Sequence, residues 1–146
     1  MPFAYLLAAS LIGAAFAAQP AINSLAAKTL GSAFPATVLS VGITLAVSAL
    51  IMLFGRTTPS LETFAQLPWW IMLGGLIGVG VVGGGAIIVP VTGVAIFFVC
   101  MIFGQMVGSV FLDQIGAFGL PVREISLMRL GGVVLTFAGV ILVRYG

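Results

Sequence analysis

The sequence predicts an all-α protein that crosses a membrane five times. Of its 146 residues, 62% are hydrophobic and only 5% are charged, whereas about a quarter of the residues of a soluble domain are charged. Residues 63–112 contain no Asp, Glu, Lys or Arg. A spanning helix needs about 20 mostly apolar residues. The chain therefore has room for a single transmembrane domain and for no separate soluble domain.

Charged and turn-forming residues divide the chain into five apolar blocks. The first block ends at Lys28 and the second at Arg56, after which the polar connector RTTPSLETFAQ follows. The long uncharged region after it exceeds one crossing, and its turn signal is the sequence VPVTG at 89–93. Ser126 is a favoured N-cap residue and is predicted to begin the last helix. The predicted helices run approximately over 3–27, 34–54, 68–89, 92–112 and 126–143.

The first block lacks the basic start of a secretory signal peptide, so we expect it to be retained as a spanning helix. Five spans put the two termini on opposite sides of the membrane. The basic residues then divide three to two between the sides: Arg56, Arg123 and Arg129 against Lys28 and Arg144. This small excess favours a cytoplasmic N-terminus and also permits insertion in both orientations.

The ionisable residues are too few for the common catalytic and metal sites. The chain has no histidine, one aspartate and one cysteine, Cys100, so one chain cannot form a Ser-His hydrolase site, an aspartyl dyad or a disulfide. The acids Glu62 and Glu124 are too far apart in the sequence to give metal-ligand spacing. The basic residues occur singly and offer no surface for nucleic acid. We expect no enzyme, no metal, no cofactor and no nucleic-acid partner.

Two amides and a proline lie in the second half of the first span, in AAQPAINSLAAK. Pro20 has no backbone N–H, so the carbonyl one turn before it loses its usual hydrogen-bond donor. Gln19 and Asn23 are four residues apart and share one helical face. An amide is costly in hydrocarbon, so this face is expected to point to protein or water. The amides either join helices or line a substrate cavity, and the sequence leaves both roles open.

Seven glycines occupy the third predicted span, WWIMLGGLIGVGVVGGGAIIVP. Gly74 and Gly78 are a small-residue pair four apart, which lets a neighbouring helix approach closely. The triple glycine, formed by Gly83, Gly84 and Gly85, lowers helix stability by about 1 kcal/mol per residue relative to alanine. These glycines serve either helix packing or a hinge, and we favour packing.

A polar stripe follows the fourth predicted span in the sequence GQMVGSVFLDQIGAFG. Gln105, Ser109 and Asp113 recur every four residues and therefore lie along one face of the helix. Gly104 and Gly108 form a small-residue pair beside this stripe. Gln105 lies about 12 Å deeper than the acid, at about 1.5 Å per residue.

Asp113 stands at the C-terminal mouth of that helix, where the helix dipole repels a carboxylate. The side chain therefore needs a partner or a proton. Arg123 and Arg129 are expected on the same side of the membrane. Asp113 is accordingly either a salt-bridge residue that ties the fourth helix to the fifth or a proton-coupling carboxylate.

Three segments together resemble one transporter family: GQMVGSVFLDQIGAFGLP, the Gln-Pro-x-x-Asn of the first span, and LPWWIMLGGLIG at the third. They resemble the drug/metabolite transporter superfamily, and within it the half-length, five-helix YdcZ-type group of inner-membrane exporters. The likeness extends from Gly13 to Val143. The triple glycine at 83–85 departs from the family pattern.

The resemblance implies an α-helical secondary transporter in the bacterial inner membrane. Full-length relatives carry ten helices as two inverted five-helix repeats, and the small four-helix multidrug exporters work as antiparallel dimers. The coupling glutamate of those small exporters has no counterpart in the first helix here, which leaves Asp113 as the intramembrane candidate. Balanced loop charge independently permits dual insertion. We therefore expect an antiparallel homodimer, with each chain supplying half of a ten-helix inverted-repeat assembly.

The expected function is export of a small neutral or amphipathic metabolite or drug by alternating access, with the lipid bilayer as surroundings. The expected substrate contacts are Gln19, Asn23, Gln105 and Ser109. The alternative is a non-transporting assembly or scaffold subunit, in which the polar groups only hold helices together. A pore is disfavoured because the spans carry no charged ring.

Overall fold

The computed structural model describes residues 3–146, and the regular structure of this part of the chain is entirely helical. Five segments are long and apolar enough to cross a membrane: Phe3–Leu30, Ala33–Phe54, Trp69–Thr92, Val94–Ile115 and Leu127–Tyr145. The prediction of an all-α protein with five spanning segments is confirmed. The helices form two compact units, which divide between Val91 and Thr92.

The first span consists of two helices, α1 (Phe3–Phe16) and α2 (Gln19–Leu30). In the break between them, the Ala18 amide donates to the Ala15 carbonyl at 3.2 Å, a tighter turn than that of an α-helix. Pro20 stands in the first turn of α2, where the missing N–H removes no bond within the new helix. The predicted helix over 3–27 is therefore one span, Phe3–Leu30, with a local tightening before Gln19 and an end three residues later than predicted.

Helices α2 and α3 (Ala33–Phe54) form a helical hairpin. Gly31, with φ 77°, ends α2 in the left-handed conformation that favours glycine, and the Ser32 side chain accepts from the Phe34 amide at 3.3 Å to cap α3. The contact surface is made of small and polar residues. Those that are buried are Pro20, Asn23 and Ser24 of α2 and Ala36 and Thr37 of α3.

The polar connector after α3 contains a short helix that the sequence did not predict, α4 (Leu61–Ala65). The Ser60 side chain caps it by accepting from the Thr63 amide at 3.2 Å. A 3-10 turn, Trp69–Ile71, then leads into the next spanning helix. Ser60 is a favoured N-cap residue, so the sequence carried a weak local signal for this helix.

Helix α5 (Met72–Thr92) runs without interruption through the triple glycine and through Pro90. The predicted turn over 89–93 is confined to Gly93, which has φ 78°. Pro90 has no N–H to donate to the Ala86 carbonyl, yet the helix continues for two more residues. The residue that ends the helix is therefore the glycine and not the proline.

The second unit contains α6 (Val94–Ile115) and α7 (Leu127–Tyr145), which contact each other along the span. The Phe103 and Phe137 rings lie 5.2 Å apart between centroids. The Ser126 side chain accepts from the Arg129 amide at 3.2 Å, which confirms the predicted N-cap of the last helix. Neither helix contains a buried residue.

Candidate functional site

A cleft of about 300 Å³ lies between α2 and α3, beside the end of α1. Four polar side chains line it, two from each long helix: Gln19 and Asn23 from α2, and Ser40 and Thr44 from α3. Its other lining residues are alanine, leucine and isoleucine. The described lining therefore contains hydrogen-bonding groups in an apolar surface and no charged side chain.

Helical spacing explains why these four side chains face one another. Gln19 and Asn23 are one turn apart on α2, and Ser40 and Thr44 are one turn apart on α3, so each pair shares one helical face. The break at Ala18, which also lines the cleft, sets the direction in which α2 begins. The cleft is thus formed by two polar faces that the α2–α3 hairpin brings together.

Asn23 is the polar group that is most completely enclosed in this hairpin, with 5% of its surface exposed. Its Nδ2 atom is buried and has no hydrogen-bond partner within the described chain. The nearby buried Thr37 differs, because its hydroxyl donates to the Ala33 carbonyl at 2.9 Å. An unpaired buried amide costs about 1–3 kcal/mol, so Asn23 holds a donor whose partner must come from outside this part of the fold.

Sequence reasoning missed Ser40 and Thr44. The Thr44 hydroxyl donates to the Ser40 carbonyl at 3.0 Å, which leaves its oxygen free to accept. Serine and threonine in spanning helices often bond to their own backbone in this way. Their four-residue spacing was therefore a visible but weak signal, and the decisive fact is that α3 turns this face toward Asn23.

Gln105 and Ser109 belong to the second unit, on α6, and both side chains are exposed. The Ser109 hydroxyl donates to the Met106 carbonyl at 3.0 Å. At Gly104 an added Cβ would meet no atom within 4 Å, and the same holds at Gly108. The predicted small-residue face is therefore unoccupied within the α6–α7 unit.

Asp113 is paired in the structure. Its Oδ2 atom lies 2.9 Å from Nη2 of Arg129, and each side chain is about a third exposed, at 32% and 31% respectively. The Asp113 backbone carbonyl also accepts from the Arg123 amide at 2.9 Å. Of the two roles considered for this acid, the salt bridge between α6 and α7 is the one that the structure forms.

The loop between α6 and α7 is fixed to the end of α6 by two further bonds. The Ile125 amide donates to Oε1 of Gln114 at 2.7 Å, and Nη1 of Arg129 donates to the Arg123 carbonyl at 3.4 Å. Gly116, with φ 59°, reverses the chain at the helix end. These contacts and the ion pair form one network, whose evident effect is to hold the loop in place.

The glycines of α5 differ from one another in what surrounds them. A Cβ added at Gly83 would lie 3.1 Å from the Thr37 hydroxyl oxygen, so this glycine permits close approach to α3. Gly85 is buried. At Gly84, and likewise at Gly74 and Gly78, an added Cβ would meet open space. Packing within the described unit thus accounts for one glycine of the triplet directly.

Comparison with known proteins identifies a matching family. The model of a family described as "Putative inner membrane exporter, YdcZ" matches residues 4–142. No curated protein and no solved structure matches the chain. The matched region includes both compact units and reaches into all five spans.

Proposed function

We propose that this chain, which belongs to the YdcZ family of inner membrane exporters, exports a small neutral or amphipathic molecule as a secondary transporter. As a family member with five spanning segments, it is a multi-pass protein of the inner membrane. The observation that carries the proposal is the polar cleft between α2 and α3. A spanning hairpin gains nothing in stability from a buried, unpaired amide, whereas a transporter needs such a group to bind its substrate.

The lining of the cleft supports the substrate class. Hydroxyls and amides can pair with a polar group, while the alanine, leucine and isoleucine side chains suit an apolar body. A charged ligand would need a counter-charge at this depth, and no described lining residue supplies one. A volume of about 300 Å³ is at the lower end for ligand pockets, which favours a small molecule.

The broken first span supports alternating access. The Ala18 backbone stays helical, with φ −76° and ψ −26°, but it forms a tighter 3-10 bond to Ala15, and Ala18 lines the cleft. A short 3-10 stretch inside a helix often marks a functional hinge. In this proposal, the break between α1 and α2 is where the chain bends as the cleft opens to alternate sides.

The exposed amide of Gln105 supports a second copy of the chain. An amide that faces hydrocarbon is costly, and Gly104 and Gly108 beside it leave room for a close helix. The near balance of basic residues between the two sides permits both orientations. We therefore include an antiparallel homodimer in the proposal, in which α6 of the partner completes the polar space.

Transport is tested in inverted membrane vesicles that carry the protein and are energised by respiration. The vesicles are incubated with a cell-metabolite extract and a panel of neutral and amphipathic drugs, and the compounds taken up are measured by mass spectrometry. Gln19→Leu is expected to abolish the protein-dependent uptake, while Gln66→Leu in the exposed connector leaves it intact. Equal uptake by vesicles with and without the protein would support the assembly-subunit alternative.

Orientation is tested separately by cysteine labelling. Replacing Cys100, the single cysteine, gives a background into which Ser32→Cys or Thr58→Cys is introduced, in the loops after Lys28 and Arg56, so that the basic residues that set orientation stay in place. With dual insertion, each position reacts partly from either side of the membrane with an impermeant maleimide. Labelling of each position from one side only would exclude the antiparallel dimer.

A further inference from the structure

One unpaired donor in the cleft between α2 and α3 restricts the chemical class of the ligand more than a polar lining alone would. Asn23 contributes a buried Nδ2 donor that no group in the described chain accepts from. The Ser40 hydroxyl lines the same cleft from α3. A buried donor of this kind is satisfied only by an acceptor atom that enters with a ligand or with water.

We infer that the cleft recognises an uncharged molecule through a hydrogen-bond acceptor, such as a carbonyl oxygen, that pairs with Asn23 Nδ2. Ser40 supplies a second hydrogen bond, and the apolar walls take the carbon skeleton. This inference rests on the proposed function, because it treats the cleft as the substrate site. It adds the functional group by which the substrate is selected.

Two charged ligand classes, ammonium ions and carboxylates, do not fit the cleft. An ammonium group has only donors, so it cannot accept from Nδ2, and no acid lines the cleft to balance its charge. A carboxylate is an acceptor, but no arginine or lysine lines the cleft to balance its charge, and a buried unpaired charge costs more than one hydrogen bond returns. A neutral ketone, ester or amide carbonyl satisfies the donor without either cost.

The chain itself provides the probe for a direct test, because Asn23 is the only asparagine in the sequence. Labelling with asparagine that carries ¹⁵N at Nδ2 therefore gives one pair of side-chain amide signals in the NMR spectrum of the native protein in lipid nanodiscs. These signals report the hydrogen bond of this one group. No substitution is needed, so the test does not depend on a variant that folds.

Three ligands of similar size but different polar groups are titrated: acetophenone, benzylammonium and ethylbenzene. Acetophenone is expected to shift the Asn23 signals saturably and to bind about tenfold tighter than ethylbenzene, since one buried hydrogen bond is gained. Benzylammonium is expected to leave the signals in place. Signals that acetophenone does not move, that ethylbenzene moves equally, or that benzylammonium moves at lower concentration would each overturn the inference.

Ser40→Ala supplies a second test with the same readout. It is expected to weaken acetophenone binding about fivefold, as loss of one hydrogen bond does, and to leave ethylbenzene binding unchanged. An equal loss for both ligands would assign Ser40 to packing. Failure of ketone binding with intact vesicle uptake would refute the acceptor class and leave transport standing, whereas ketone binding without any uptake would refute transport and leave the cleft as a binding site.

Discussion

The polar residues of the α2–α3 hairpin differ from those of the α6–α7 pair in their burial and in whether they have a hydrogen-bond partner. In the first, Asn23 is buried with a donor that lacks a partner. In the second, Asp113 and Arg129 satisfy each other near the helix ends and are each about a third exposed. Both pairs belong to apolar spanning segments, so the difference lies in where the polar groups are placed.

This contrast separates two uses of a polar group in a membrane protein. A paired group near a helix end, such as Asp113, stabilises the connection between two helices and needs no further partner. A buried group left unpaired, such as Asn23, lowers stability and is kept only if a ligand or a partner uses it. In the proposed function, the α2–α3 hairpin therefore binds the substrate, whereas the α6–α7 loop network holds these two helices together.

The largest effect that would test this contrast is expected from Asn23→Leu. Leucine has the branching of asparagine without its hydrogen bonds, so protein-dependent vesicle uptake should fall at least about tenfold. Unfolding stability should stay the same or rise, because a buried unpaired amide is removed. Thr29→Val is the matched control, since the Thr29 hydroxyl bonds to its own helix at Leu25 and the change should leave uptake intact. A less stable Asn23→Leu protein would mean that the amide holds helices together.

Gln105→Leu should have the next largest effect. Its amide is exposed on α6 and in the proposed dimer faces the shared polar space, so uptake should fall about fivefold, as expected for loss of one hydrogen bond. Ser109→Ala should cost about twofold or less, because that hydroxyl already bonds to the Met106 carbonyl. Uptake and cross-linked dimer yield are measured on equal amounts of inserted protein. If neither uptake nor the yield of cross-linked dimer changes, α6 belongs neither to the substrate site nor to the dimer interface.

Alanine at position 83 and alanine at position 84 should stabilise α5 by different amounts, both of them small. Gly84→Ala should raise helix stability by about 1 kcal/mol, because its Cβ enters open space. Gly83→Ala should gain less, since its Cβ would lie 3.1 Å from the Thr37 hydroxyl. Denaturant unfolding of the single variants and of Gly83→Ala combined with Thr37→Ala measures the coupling. If both glycines respond equally, α5 does not pack on α3 as described.

The smallest effect is expected at the ion pair. Asp113→Asn should lower stability by about 0.2–1 kcal/mol, as for other partly exposed pairs, and uptake should follow the same pH profile as in the unmodified protein, because the carboxylate is paired with Arg129. The exchanged pair, Asp113→Arg with Arg129→Asp, should restore the stability. Loss of pH dependence in Asp113→Asn would instead favour the proton-coupling role.

Much of the architecture could be predicted from the sequence because it depends on local properties. Composition and block length predicted five spanning helices, and the chemistry of Ser126 predicted the cap of α7. The predicted ends of the spans lie within about three residues of those in the structure. The amides of Gln19 and Asn23 were also visible as candidates, since polar groups stand out in so apolar a chain.

What the sequence by itself determined is thus the class of the protein, the number of its spans and the short set of polar residues from which a site can be built. Only the tertiary structure decided that Ser40 and Thr44 face Asn23, that Asp113 pairs with Arg129, and that Gly83 approaches α3. The physical reason is that these helices are apolar on nearly all sides, so no hydrophobic stripe indicates which face is turned inward. Close packing between neighbouring helices makes that choice, and it leaves the Asn23 donor without a partner of its own.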